Sequence, residues 1–119
     1  MAEDEDTGNP NVFTIFQGKY GITPSEGCTL ANDSAILTTM CIVEIMGDAE
    51  LTGYVDGSVF ATLHEECRPE SEIHIPIYFN DTLAKLIIAT TGDMSLSGAS
   101  GDGTAHLEGI CFNNCDRWY

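Results

Sequence analysis

From Glu72 to Phe79 the chain alternates without a break: Ile73, Ile75, Ile77 and Phe79 fall on one side, and Glu72, His74, Pro76 and Tyr78 on the other. A period of two sends successive side chains to opposite faces of a sheet, so this stretch reads as a half-buried β-strand. Arg68-Pro69 stands before it. Proline fixes its own φ, biases Arg68 towards an extended conformation and offers no N–H to a neighbouring strand, so Leu63, Arg68 and Pro69 read as a stiff structural elbow.

The remaining segments repeat the theme. Ala35 to Met46 is apolar nearly throughout and could be a buried helix, but Ile36, Thr38, Thr39, Ile42, Val43 and Ile45 are β-branched, which favours strand. Ala49 to Val55 and Ser58 to Leu63 flank Asp56-Gly57, a hairpin signal. Asn80-Asp81 turns the chain into Leu83 to Thr90, and Gly92-Asp93 turns it into Met94 to Ser97. After the glycine-rich loop Gly98 to Gly103, Thr104 to Phe112 is a last strand. Seven to nine short strands separated by Gly or Asx turns predict an all-β chain, an antiparallel, jelly-roll-like β-sandwich or a barrel.

At 119 residues and 43% apolar content there is material for one core. The expected organisation is an N-terminal arm over residues 1–26 and a β-sandwich head over residues 27–119. Glu3 to Asp6 are consecutive acids, followed by turn formers. Val12, Phe13, Ile15 and Phe16 are too apolar for a free tail, so they read as an anchoring segment docked on another protein or as an extra strand.

The net charge of −15, from 4 basic against 19 acidic residues, repels nucleic acid, so no nucleic-acid partner is expected. No apolar run has the length of a spanning helix, and the acidic N-terminus is unlike a signal peptide. Membrane insertion and export are therefore not expected. Cys28, Cys41, Cys67, Cys111 and Cys115 are odd in number and form no CxxC pair, which fits neither a disulfide framework nor a zinc site. Free thiols, no metal and no cofactor are the expectation.

A catalytic reading finds no support, since His64, His74 and His106 lie in different segments and no nucleophile is placed beside a base. Asp56, Asp93 and Asp102 sit in Gly-Asp or Asp-Gly turns without the spacing of a calcium loop. Arg68 is expected to bind backbone carbonyls or the carboxylate of Glu65 or Glu66. Tyr54, Tyr78, Trp118 and Tyr119 are candidate exposed aromatics, of the type that stacks on sugar rings or fills subunit interfaces.

The order Gly57 to Leu63, Cys67-Arg68-Pro69, Ile75-Pro76, Ile88 to Gly92 and Leu107 to Phe112 resembles the small β-sandwich head of bacteriophage tail fibres and related virion appendage proteins. That pattern runs as a Leu-Pro step, Arg-Pro, a strand with a central proline, a strand ending in a turn glycine, and a Leu-x-Gly-x-x-Phe-like strand. His64 stands where the family usually has proline, and Cys67 where an aromatic is common. The resemblance implies a non-enzymatic virion structural protein, made in the host cytoplasm and displayed on the particle surface as a capsid decoration, head fibre or tail appendage. It further implies a homotrimer, a capsid or tail protein held through the N-terminal segment, and contact with host-cell surface glycans. The alternative is a cellular carbohydrate-binding β-sandwich module.

Overall fold

The computed structural model describes residues 17–38 and 42–114, which form eleven β-strands and one 3₁₀ turn, with no α-helix among them. The strands are β1 Gln17–Pro24, β2 Cys28–Leu30, β3 Ser34–Thr38, β4 Ile42–Met46, β5 Ala49–Tyr54 and β6 Val59–Leu63. The 3₁₀ turn Glu65–Cys67 follows, then β7 Ile73–Phe79, β8 Thr82–Ile88, β9 Asp93–Ser97, β10 Gly101–Ala105 and β11 Cys111–Asn113. All pairings are antiparallel, in the order β11-β4-β3-β1-β6-β9-β8-β7-β10-β5-β2.

Two neighbours in sequence, β1 and β2, lie at opposite ends of the strip β1-β6-β9-β8-β7-β10-β5-β2 and are joined by one tight turn. Ser25 N–H donates to the Phe60 carbonyl of β6, and Thr52 N–H of β5 donates to the Gly27 carbonyl. The turn therefore bridges the two ends, and the strip curls round a single core. Ile77, Phe79, Leu86, Ile88, Met94, Leu96, Phe60 and Leu63 fill that core from β6 to β9, and Leu51 and Tyr54 fill it from β5. Closure of this kind covers edges that an open sheet would leave to associate. The N-terminal half of β1 pairs instead with β3, and β4 and β11 extend that smaller flap.

The all-β expectation is met, and the differences from it are instructive. Gln17–Pro24, assigned by sequence to the arm, is a strand set between β3 and β6. Its glycines hide it from propensity, yet a Cβ at Gly18 would collide with the Tyr20 ring, so a small residue is what lets that ring lie down. The apolar run to Met46 is two strands, β3 and β4, paired Ser34↔Met46 to Leu37↔Val43. The last strand is also two, β10 and β11, separated by a turn with Gly109 at φ 84. The expected β5–β6 hairpin does not form: β5 pairs with β10 and β2, and β6 with β1 and β9.

Candidate functional site

The elbow before β7 is a junction. Arg68 is extended at φ −74, ψ 141, as a residue before proline should be, and its N–H caps the 3₁₀ turn on the Glu65 carbonyl. Leu63, Cys67 and Pro69 are buried beneath it. Leu63 N–H donates to the Gly92 carbonyl at 2.9 Å, and the buried Asn114 amide donates to the Glu66 carbonyl at 3.0 Å, tying β9 and β11 to the turn. A Cβ at Gly92 would sit 2.8 Å from the Leu63 carbonyl and 3.0 Å from Arg68 Nε, so the arginine stem lies directly over this glycine. Nε is buried and has no hydrogen-bond partner among the described residues. The surroundings are those of a packed joint rather than of an open ligand site.

Each imidazole has a local partner. His64 stacks on Tyr20 with ring centroids 4.8 Å apart and accepts the Glu66 N–H. His74 contacts the Glu72 carboxylate at 2.7 Å, and His106 Nδ1 lies 3.3 Å from Asp48. The Asp48 carboxylate also accepts the N–H groups of Leu107 and Glu108. Of the thiols, Cys28 and Cys111 are free, and burial pushes the Cys28 thiol above its ordinary value, away from the reactive thiolate. No group of three His, Cys, Asp or Glu side chains able to hold a metal occurs among the described residues.

Tyr54 is buried, against the expectation of an exposed aromatic. Simple alternation from Ala49 and Leu51 would turn it outward. Gly53 at φ 63, opposite a register shift between Gly101 and Gly103, adds the extra residue that sends Tyr54 inward. Its hydroxyl donates to the Ser58 carbonyl and accepts the Leu96 N–H at 2.7 Å, while its ring meets Phe60 edge to face at 6.2 Å.

Tyr78 is where alternation puts it, on the outside and 56% exposed. The two-residue turn Asn80-Asp81 sets the β7–β8 register, so Tyr78 faces Leu83, Pro76 faces Lys85 and His74 faces Ile87 on the outer surface. Leu83 is 62% exposed, and the pair forms an apolar shelf. Two shallow concavities flank it, one lined by Tyr78, Asn80, Asp81 and His106, the other by His74, Pro76, Leu83, Ala84, Lys85 and Ser97. The turn beneath is rigid. Asn80 holds φ 55, its Oδ1 accepts the Thr104 N–H, and its amide donates to the Asp102 carbonyl. Asp81 and Lys85 enter no ion pair among the described residues.

Sequence reasoning found Tyr78 but not Leu83, Lys85, Asp81 or His106 around it; the register implied by a two-residue turn was the available signal for Leu83. The elbow residues Leu63, Arg68 and Pro69 are not part of this shelf. Val12, Phe13, Ile15, Phe16, Trp118 and Tyr119 lie outside the described residues.

No protein-family description and no curated protein matches the chain. Among solved structures it is similar to the receptor binding protein (gp15) of Listeria phage PSA, with a TM-score of 0.61 and 17% identity. The likeness covers 82% of this chain and 64% of that one, so this chain spans just under two thirds of the other's length. At that identity the likeness is one of fold.

Proposed function

We propose that the chain is a non-enzymatic bacteriophage virion protein, a β-domain displayed on the particle surface that takes part in attachment to the host. The fold shared over 82% of the chain with a phage receptor binding protein carries this reading. The residue pattern around Arg68-Pro69 and Ile75-Pro76 supports it independently, and an acidic, strand-built surface suits a protein displayed in solvent. Under this reading the domain assembles as a homotrimer. Val12, Phe13, Ile15 and Phe16 hold it to a capsid or tail protein, and a host-cell surface glycan is the receptor.

Antibody raised against the purified chain should decorate intact particles under the electron microscope, and the chain should be detected by mass spectrometry in density-purified virions. Its absence from particles would overturn the proposal. Deleting residues 1–16 removes no residue of the described strands. The truncated chain should melt cooperatively and fail to join particles lacking the full chain. Loss of cooperative melting would instead assign Val12 to Phe16 to the core.

A further inference from the structure

The Tyr78–Leu83 shelf is an exposed apolar feature on a rigid hairpin, and three properties narrow what can cover it. The first is size. Covering the exposed parts of Tyr78, Leu83 and Pro76 would remove on the order of 300 Å² from water, against about 800 Å² per partner in a stable protein interface. A second copy, whose contact would need a face more than twice this size, is a poor occupant of the shelf by itself. The second is charge. Glu72 stands before one end of the hairpin's outer face and Asp81 at the other, with Lys85 between them. A polyanion approaching a chain of this net charge meets repulsion that one lysine does not offset.

The third is chemistry. An aromatic face beside an aliphatic side chain suits the C–H face of a pyranose ring, whose hydroxyls need donors and acceptors around the rim. Here the rim has unused capacity. His106 engages Asp48 through Nδ1 and keeps Nε2, His74 engages Glu72 through Nε2 and keeps Nδ1, and Asp81 and Lys85 are unpaired among the described residues. Asn80, fixed by two hydrogen bonds of its own, holds the turn beneath Tyr78 in one conformation.

We propose that this outer face of the β7–β8 hairpin binds an uncharged pyranose unit, stacked on Tyr78 and Leu83, and discriminates against anionic saccharides. The inference rests on the attachment reading, and it assigns both the position of the contact and its charge class.

The test is an NMR titration of the isotope-labelled full chain with neutral methyl glycosides of glucose, galactose and N-acetylglucosamine, and with glucuronic acid and glycerol phosphate as charged probes. At least one neutral glycoside should shift the amides of Tyr78 to Leu83 and His106 with a Kd on the order of 1 mM, with little dependence on salt. The charged probes should bind at least about 5-fold more weakly at low salt. Tyr78→Ala should weaken the neutral ligand by about 10-fold or more, while Tyr78→Phe, which keeps the ring, should stay within about 3-fold. Shifts confined to another face, no shift with any neutral glycoside, or unchanged binding by Tyr78→Ala would overturn the assignment. So would a concentration-dependent association abolished by Tyr78→Ala, which would make the shelf a contact between copies. A chain that is present on virions and competes for host cells, yet shows any of these results, would leave the attachment reading standing and remove only the Tyr78 site.

Discussion

Two turns of similar chemistry do opposite things in this molecule. Asn80-Asp81 closes a hairpin in which β7 and β8 pair at every position from Ile73↔Ile88 to Phe79↔Thr82. Asp56-Gly57 closes nothing, because β5 and β6 part company and join different neighbours. The Asp56 carboxylate does not serve its own turn; it accepts the N–H groups of Gly98 at 2.6 Å and Ala99 at 3.1 Å. Gly57 N–H donates to the Leu96 carbonyl, and the Tyr54 hydroxyl takes the Leu96 N–H. The link is an arch clamped onto the end of β9. A turn signal thus fixes a change of direction, whereas the strand partner is chosen by which bonds and buried faces lie beyond it.

Breaking the arch should cost more than breaking the hairpin turn. Tyr54→Phe leaves the buried Leu96 N–H without its acceptor, and we expect a loss of about 2–3 kcal/mol in denaturant unfolding. Asp56→Ala removes two charge-assisted bonds at a partly exposed site, for an expected loss of about 1–2 kcal/mol by the same measurement. Equal stability of Asp56→Ala and wild type would mean that the clamp is incidental to the arch. Asn80→Ala places alanine at positive φ and deletes the bond to Thr104, for about 1 kcal/mol, read as a lower melting temperature. Tyr78→Ala, on the outer face of the same hairpin, should change stability by no more than about 0.5 kcal/mol.

An alkaline titration sharpens the same contrast. Burial pushes the Tyr54 hydroxyl above the ordinary tyrosine value of 10.0, and its hydrogen bonds to Leu96 and Ser58 act the other way. With the folded value raised, the stabilisation from Tyr54 is whole below the ordinary value. It is lost as pH rises past that value, because the unfolded chain ionises first. The stability difference between wild type and Tyr54→Phe should therefore narrow above about pH 10. A difference constant with pH would show that Tyr54 ionises alike in both states.

Where structure follows from neighbours in sequence, it was legible. The alternation from Glu72 to Phe79 placed Ile77 and Phe79 in the core and His74, Pro76 and Tyr78 outside. Pro76 is tolerated there because β10 pairs with β7 only at Phe79, so the flank of Ile73 to Ile77 away from β8 asks for no ladder donor. Tyr54 was misplaced because a bulge at Gly53, not parity, decides its face. The division of Ala35 to Met46 left no mark in composition, since Thr39-Met40-Cys41 contains no turn former. Gln17–Pro24 fell within the expected arm because Gly18 and Gly21 lower strand propensity. Its place between β3 and β6 is set by pairing to residues far along the chain. The shelf was half legible for the same reason: Tyr78 follows from parity, while Lys85 reaches it only through strand register and His106 only through the bond of its N–H to the Tyr78 carbonyl.

The central claim, that this domain meets the host surface, is tested most directly by competition for adsorption. Host cells preincubated with purified full chain should take up phage more slowly in proportion to the protein added, and Tyr78→Ala at equal concentration should compete at least about 10-fold less well while melting like the wild type. An adsorption rate unchanged by saturating wild-type protein, for a phage whose virions carry the chain, would contradict the account and leave the domain a purely architectural part of the particle.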